Sequence, residues 1–209
     1  MGVFGPGLRL AAARDVLRSM ASRMVLLRHG ATEWSLSGQH TGRTDIPLVE
    51  EGRAQAKAAG QLLRGTHFAL VLTSPLQRAS ETCALAGYTG VSELDLMEWD
   101  YGAYEGRTSV EIQADRPGWN LWVDGVPDGE RAADVGRRTD RVIARARAVG
   151  GDTLCVAHGH LLRVLTARWL ELPPVGGRLF ALDAGAVCVL GWERQSPVVS
   201  GWNLGATLS

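Results

Sequence analysis

Four residues of this chain carry side chains suited to binding and transforming an anion. Arg28 and His29 follow the apolar run MVLL, Arg78 comes shortly after the run FALVLTSP, and His158 follows TLCVA. Taken singly, each is explained more simply as a hydrogen-bonded or ion-paired side chain. Brought together, guanidinium and imidazole groups disfavour one another's charge unless an anion lies among them. Because arginine binds phosphate oxygens bidentately, the set predicts a phosphate site.

Glu98, in the segment LMEWDYGAYEG, adds a group that can transfer protons. A carboxyl group beside a phosphate dianion is favoured in its protonated form, so Glu98 is a candidate general acid. For Glu98 taken alone, a surface acid paired with an arginine is the alternative. A metal centre is disfavoured: His158 and His160 are two residues apart, but no third histidine, cysteine or acid has ligand spacing. A serine nucleophile is disfavoured because the chain has no G-x-S-x-G motif.

A scaffold must bring these distant residues together, and the hydrophobic pattern indicates which one. Short apolar runs, bounded by breakers, alternate with helical patterns. Helices are predicted over residues 50–63, 76–86, 132–149 and 161–170. This alternation predicts an α/β fold, a single doubly wound domain with a mostly parallel central sheet flanked by helices. Ligands of such sheets bind beyond the carboxyl ends of the strands, where Arg28 and both histidines would lie.

Residues 98–129 interrupt this regular pattern and are predicted to form a lid-like insertion. The stretch is rich in glycine and aromatic residues. Four aromatic residues are hypothesised to line the mouth of the site and to favour bulky or aromatic leaving groups, namely Trp99, Tyr104, Trp119 and Trp122. Packing of the insertion onto the domain is the alternative. The domain is predicted to span residues 24–209, and residues 1–23 are predicted to be a poorly ordered N-terminal extension.

The composition of the chain excludes several classes of partner. Its 209 residues include 22 basic and 22 acidic ones, which predicts no general attraction to nucleic acid or to an anionic membrane. The arginines of the 132–149 helix are therefore interpreted as a solvated face. No apolar run approaches the roughly 18 residues of a membrane helix. Three cysteines without CxxC spacing are predicted to be reduced and buried, as is typical of a cytoplasmic protein. The oligomeric state stays open, and a homodimer is one candidate.

Six segments, in order along the chain, resemble the histidine phosphatase (phosphoglycerate mutase-like) superfamily. They are LLRHGATEW, TGRTDIPL, EEGRAQA, TSPLQRASETC, EWDYGAYEG and AHGHLLR. The resemblance runs from Met24 to about Trp192. The RHG motif alone is short, whereas five further segments in family order make the match specific. Bacterial members of acid-phosphatase type are the most similar in appearance.

The resemblance implies a role for each candidate residue. His29 would be a nucleophile that attacks phosphorus and forms a phosphohistidine, and Glu98 would protonate the leaving alcohol and then activate water. The phosphoryl oxygens would be held by Arg28, Arg78 and His158. The resemblance also implies a substrate-binding set, which consists of Ser35, Thr41, Gly42, Tyr101 and Gly159. A nucleophilic histidine requires a neutral ring whose second nitrogen is held by a backbone carbonyl. No metal and no cofactor are predicted.

Departures from the family pattern favour a phosphatase over a mutase. Ser109 stands where cofactor-dependent phosphoglycerate mutases have a lysine, and Ser35 and His160 stand where they have asparagines. The clamp for a second acidic group is therefore predicted to be absent. We expect a metal-independent phosphomonoester hydrolase of acid-phosphatase type that acts on small phosphorylated metabolites. A phosphoglycerate or other phosphosugar mutase is the alternative, and an inactive phosphate-binding module is the alternative from a different class.

Overall fold

The structure, a computed structural model, describes residues 22–205. The predicted N-terminal extension lies outside the described residues except for Ser22 and Arg23. At the centre is a six-stranded sheet with the strand order β3-β2-β4-β1-β5-β6. The strands are β1 (Met24–Arg28), β2 (Leu70–Thr73), β3 (Val91–Ser92), β4 (Thr153–Ala157), β5 (Val187–Glu193) and β6 (Ser196–Leu204).

Parallel pairing occupies most of the sheet. β1 pairs with β4, β4 with β2, and β2 with β3 in parallel, whereas β5 runs antiparallel to both β1 and β6. The predicted fold class, a single α/β domain with a mostly parallel sheet, is confirmed. The sequence pattern does not reveal β3, which has two residues, or β6, whose partly buried residues show no alternation.

The described residues form seven α-helices. They are α1 (Glu33–Ser37), α2 (Glu50–Leu62), α3 (Gln77–Leu85), α4 (Ser109–Asp115), α5 (Leu121–Asp124), α6 (Ala132–Val149) and α7 (Gly159–Trp169). Short 3-10 segments cover Leu94–Leu96, Gly102–Tyr104 and Pro174–Leu179. The four predicted helices correspond to α2, α3, α6 and α7. The end of α6 is set by Gly150, which adopts the left-handed conformation with φ 70°.

Apolar side chains on both faces of the sheet make two cores. Along β1, Val25 and Leu27 pack in the core that α2 and α3 cover, whereas Met24 and Leu26 pack in the opposite core with α6 and α7. All five residues of β4 are buried. Because helices cover both faces, the central strands have continuous apolar sequences instead of alternating ones. The three cysteines are free and buried in these cores, and burial raises the pKa of Cys155 to about 12.

Acidic neighbours neutralise much of the arginine-rich face of α6. Four of its arginines form ion pairs, namely Arg137, Arg138, Arg141 and Arg145. The fifth, Arg147, lies over the rings of Trp169 and Trp192, with 5.1 and 5.2 Å from the guanidinium carbon to the ring centroids. In residues 22–205, no helix has the length and apolar character needed to cross a membrane.

The insertion is pinned at its root, where its two ends meet. Trp99 Nε1 donates to Glu130 O at 2.8 Å. Glu130 N donates to Asp100 O at 2.9 Å, and Asp100 N donates to the Glu130 carboxylate at 2.9 Å. Gly102 permits a close approach just beyond this point, because it has φ 48° and an added Cβ would lie 2.2 Å from Pro127 O. The insertion is thus a closed loop that returns to its starting point.

Candidate active site

The carboxyl ends of three strands meet at one edge of the sheet. β4 lies between β1 and β2 and is parallel to both. His29 N donates to Ala157 O at 2.9 Å, and Ser74 N donates to Val156 O at 3.0 Å. The rings of His29 and His158 come within 5.1 Å of each other, measured between centroids. A cavity of about 430 Å³ opens at this edge, between the strand ends and the insertion.

His29 is buried, and its imidazole is held in one orientation. Its Nδ1 lies 2.7 Å from Gly30 O. A carbonyl oxygen only accepts hydrogen bonds, so Nδ1 carries the proton and Nε2 keeps a lone pair. Burial, together with the nearby charges of Arg78 and Arg28, lowers the pKa of His29 well below that of an ordinary imidazole. The site therefore favours the neutral ring that a nucleophile requires.

Arg28 is a partly buried cation whose guanidinium group makes one hydrogen bond among the described residues. Its Nη1 donates to Leu182 O, whereas its enclosed Nε has no partner among the described residues. Desolvation lowers the pKa of Arg28, and the charge of Glu98 opposes that shift. Gly159 packs against the guanidinium group, since a Cβ there would lie 3.4 Å from Nε. Nη2 has no hydrogen bond among the described residues and Arg28 lines the cavity, so an anion bound there can accept from Nη2.

Arg78 and His158 are fully buried and lie behind the cavity wall. Arg78 Nε donates to His158 Nδ1 at 3.1 Å. The other nitrogens of Arg78 donate at 2.9 to 3.1 Å to three carbonyl oxygens, those of Thr41, Gly42 and Thr44. Because Nδ1 of His158 accepts, the proton of this ring lies on Nε2, 2.8 Å from Ser74 Oγ. Desolvation, with Arg78 beside it, lowers the pKa of His158 well below the ordinary value. These contacts support the wall of the cavity. That Arg78 and His158 bind the phosphoryl oxygens directly stays a prediction.

Glu98 is buried, and its carboxyl group accepts three backbone hydrogen bonds. Oε1 accepts from Trp99 N and Leu161 N, each at 2.8 Å, and Oε2 accepts from His160 N at 3.0 Å. The last two amides belong to the first turn of α7, which has no other side-chain cap. The positive end of the helix dipole favours negative charge at this position. Oε2 accepts one bond only, so it is the oxygen with room to carry a proton. Glu98 lines the cavity together with His29.

Three rings form a connected wall beside Glu98. Tyr101 Oη lies 2.6 Å from His160 Nδ1, and the ring centroids of His40 and Tyr101 are 4.7 Å apart. Burial and the charges of Glu98 and Glu105 raise the pKa of Tyr101 well above that of free tyrosine, so its hydroxyl keeps its proton and donates to His160. Burial lowers the pKa of His160 well below the ordinary value. His160 is therefore neutral, with its one proton on Nε2.

The predicted substrate-binding set divides into two groups. Four of its members line the cavity, namely Ser35, Thr41, Tyr101 and Gly159. Gly42 does not, because its amide donates to Glu105 at 2.8 Å and an added Cβ would lie 2.6 Å from Trp99 O. The hydroxyl of Ser35 is already engaged, since it donates to Thr32 O at 2.9 Å within the capping box of α1. Both residues thus have a structural function that does not depend on a substrate.

The aromatic residues of the insertion also divide. Trp119 and Trp122 line the cavity, whereas Trp99 and Tyr104 do not. Trp99 packs edge-on against Trp122 with 5.6 Å between ring centroids, and Tyr104 packs against Trp119 at 5.3 Å. Two of the four rings are therefore placed to contact a leaving group, and the other two hold them in position.

Several cavity residues escape sequence reasoning. They are Gln39, His40, Gln113, Asn120 and Arg163. Arg163 follows His160 by three positions, so helical spacing alone would have placed these two on one face of α7. The others lie in the insertion or next to α1, where the sequence has no regular period. Their contribution depends on how these segments fold over the sheet.

Guanidinium groups supply the positive charge of the cavity. Arg28 and Arg163 line it, and Glu98 is the acidic residue of its lining. Within residues 22–205, no group of three or more histidine, cysteine, aspartate or glutamate residues could hold a metal ion.

A neutral imidazole beside an unpaired arginine donor, at the carboxyl edge of an α/β sheet, suits an enzyme that transfers phosphoryl groups. Residues 24–205 match the family profile of the histidine phosphatase superfamily (branch 1). The chain belongs to this superfamily and is a phosphatase, as the resemblance of its sequence motifs predicts.

Individual relatives agree with this assignment. An acid phosphatase of Mycobacterium tuberculosis is 42% identical over 178 residues, which cover 82% of this chain and 87% of that protein. A sedoheptulose 1,7-bisphosphatase of Saccharomyces cerevisiae is 36% identical over 189 residues, with 74% and 69% covered. A solved structure from Mycobacterium tuberculosis superimposes with a TM-score of 0.84 at 39% identity and covers 88% of this chain and 99% of its own.

Proposed function

We propose that the protein is a metal-independent phosphomonoester hydrolase of acid-phosphatase type, which acts through a phosphohistidine on small phosphorylated metabolites in the cytoplasm. The observation that carries this proposal is the 2.7 Å contact between His29 Nδ1 and Gly30 O, which leaves the lone pair of Nε2 free beside the cavity. Similarity to an acid phosphatase over 82% of the chain supports the hydrolytic outcome.

In the first step, His29 Nε2 attacks phosphorus and the bond from phosphorus to the leaving oxygen breaks. The electron pair stays on that oxygen, and Glu98 protonates it, so the alcohol leaves neutral and Glu98 becomes a carboxylate. Arg28 Nη2 donates to a phosphoryl oxygen and stabilises the charge that spreads over this group in the transition state. The three backbone N–H groups around Glu98 stabilise the carboxylate that forms.

In the second step, the Glu98 carboxylate accepts a proton from water while the water oxygen attacks phosphorus. The bond between nitrogen and phosphorus breaks, and its electron pair returns to His29 Nε2. Inorganic phosphate leaves, with Glu98 protonated and His29 neutral again. The same carboxyl group thus acts first as acid and then as base.

Ser109 supports transfer to water instead of a mutase reaction. It lines the cavity, and its hydroxyl lies 3.3 Å from His40 Nε2. At this position the mutases have a lysine, and Ser109 brings no charge that would hold a phosphorylated acid for return of the phosphoryl group.

Hydrolysis of p-nitrophenyl phosphate in EDTA tests the proposal. We expect turnover by the wild type and a loss of about 1,000-fold or more in His29→Ala, because the nucleophile is removed. His67→Ala is the matched control, since His67 is exposed and does not line the cavity, and it should keep full activity. Quenched wild-type enzyme should carry a phosphoryl group that alkali preserves and acid releases, and His29→Ala should carry none.

Other outcomes distinguish the alternatives. Loss of turnover in EDTA that added metal restores would contradict metal independence. Interconversion of 3- and 2-phosphoglycerate without phosphate release would make the enzyme a mutase. A well-folded wild type that binds phosphate and turns over no monoester would be an inactive phosphate-binding module.

A further inference from the structure

Arg163 is a cation of the cavity that the two catalytic steps leave without a role. It lies on α7, and its guanidinium carbon is 4.7 Å from the centroid of the Trp122 ring. Both residues line the cavity, together with Asn120. Trp122 and Asn120 belong to the insertion, across from the strand end that carries His29. Arg163 is therefore placed to contact the part of a substrate that extends from the phosphoryl group toward the insertion.

The guanidinium group of Arg163 is held in place but is not saturated. Nε donates to Gly177 O at 3.2 Å, and Nη2 donates to Arg178 O at 3.4 Å. Gly177 is required for this arrangement, since an added Cβ would lie 2.8 Å from the ring of Trp122. Nη1 has no hydrogen-bond partner in the part of the chain that the structure describes, and no ion pair there includes Arg163. Two N–H groups and a fixed positive charge are left for a ligand.

The charges of the cavity are unequal for a substrate with a single anionic group. Arg28 binds the phosphoryl group in the proposed reaction, and Glu98 exchanges a proton in each step. The phosphate dianion balances Arg28 and Arg78 while Glu98 is protonated, so Arg163 stays uncompensated although it is half-buried. Burial lowers the pKa of Arg163, which shows that its surroundings disfavour an unbalanced charge. A second anion would remove this cost.

The neighbours of Arg163 are further hydrogen-bond donors. The Oδ1 atom of Asn120 accepts from Trp122 N at 3.0 Å, so the amide NH₂ of Asn120 is left to donate. His160, three residues before Arg163 on α7, carries its proton on Nε2. A guanidinium, an amide and an imidazole N–H suit a group that only accepts, such as a carboxylate or a phosphate.

We infer that the leaving alcohol of the substrate carries a second anionic group, a carboxylate or a second phosphate, and that Arg163 binds it. The inference rests on the proposed hydrolase function. It differs from the prediction that a clamp for a second acidic group is absent, which considered only the positions of the mutase lysine and asparagines and the segment after that lysine. The lysine position of the mutases is a serine, Ser109, but α7 supplies a cation from another wall of the same cavity.

Matched substrate pairs test the inference. Glycerol 3-phosphate and 3-phosphoglycerate differ by a carboxylate, and fructose 6-phosphate and fructose 1,6-bisphosphate differ by a second phosphate. We expect wild-type kcat/KM to favour the doubly anionic member of at least one pair, and that pair identifies the group. Arg163→Gln should lower the preference roughly 10- to 100-fold, as expected for the loss of charge-assisted hydrogen bonds.

Two further variants separate binding from support of the wall. Arg163→Lys keeps the charge and should restore part of the preference. Arg168→Gln is the matched control on α7, because Arg168 pairs with Asp140 at 2.8 Å outside the cavity, and it should retain the wild-type preference. If Arg163→Gln lowers kcat/KM equally for both members of each pair, the inference is overturned. A wild type that prefers neither doubly anionic substrate would overturn it as well. Failure of the proposed function is distinguishable, since no monoester, p-nitrophenyl phosphate included, would then be hydrolysed.

Discussion

Arg28 and Arg78 belong to one site, yet the structure predicts a large loss of stability when Arg78 is replaced by alanine and little change when Arg28 is. Arg78 donates to His158 and to three backbone carbonyl oxygens of the segment 41–44. Arg78→Ala removes these donors and leaves four acceptors without partners in a site that is closed to solvent. Each buried acceptor left without a partner costs about 1–3 kcal/mol, and removal of the desolvated charge offsets part of that sum, so we expect a net loss of about 3–5 kcal/mol.

Arg28→Ala removes one hydrogen bond, to Leu182 O, together with an enclosed Nε that has no partner among the described residues. Removal of a buried unpaired donor recovers about 1–3 kcal/mol, which offsets most of the lost contact. We therefore expect the free energy of unfolding of Arg28→Ala to stay within about 1 kcal/mol of that of the wild type. Both variants should lose about 100- to 1,000-fold in activity, because each removes positive charge from the phosphoryl site.

Thermal unfolding followed by circular dichroism measures the difference. For a domain of this size, 1 kcal/mol corresponds to roughly 2–4 °C in Tm, so Arg78→Ala should melt about 10 °C below the wild type and Arg28→Ala within about 4 °C of it. Inorganic phosphate should raise the Tm of the wild type but not that of Arg28→Ala, because the variant lacks the free donor. Equal losses of Tm in the two variants would refute the assignment of Arg78 to the wall and of Arg28 to the ligand.

Three further predictions concern the protonation of residues in the site. Glu98→Gln should impair hydrolysis of glycerol 3-phosphate far more than that of p-nitrophenyl phosphate, because nitrophenolate leaves without a proton; equal losses in kcat/KM would argue against a general acid. Because the pKa of His29 is lowered from 6.5, kcat/KM corrected for substrate ionisation should stay constant as the pH falls through 6.5. A decline of kcat/KM centred at or above pH 6.5 would contradict a neutral nucleophile. His29, His158 and His160 are neutral in the folded protein and bind protons more readily in the unfolded chain. The free energy of unfolding, measured with urea, should therefore decrease as the pH falls below 6.5, by up to about 1.4 kcal/mol per histidine and pH unit. An unchanged free energy of unfolding at about pH 5.5 would contradict the lowered pKa values.

The parts of the fold that were predictable are those in which local sequence and tertiary environment agree. β1 and β4 are covered by helices on both faces, so each has a continuous apolar sequence with a sharp end. The direction of β5 was not predictable, because an apolar run fits a parallel or an antiparallel neighbour equally well. Partial exposure along β6 removes the alternation by which an edge strand is usually found.

The candidate site shows the same division. The residues next to the ends of β1 and β4 were predictable because the ends of parallel strands must meet at one edge of the sheet. The distinction between Arg28 and Arg78 was not, since it depends on which carbonyl oxygens the segment 41–44 presents. Trp122 and Arg163 meet only through the packing of the insertion against α7, and no local period encodes that contact.

The closed root of the insertion makes it an exchangeable module. Its ends are joined by hydrogen bonds between Trp99, Asp100 and Glu130, so the segment between them could be replaced by that of a relative while β1, β4 and the nucleophile keep their places. Such a graft would replace Trp119 and Trp122, and with them the shape of the leaving-group pocket. Arg163 would remain, because it lies on α7. The chimaera would therefore keep this protein's preference for a charged leaving group and acquire the relative's preference for the size of that group.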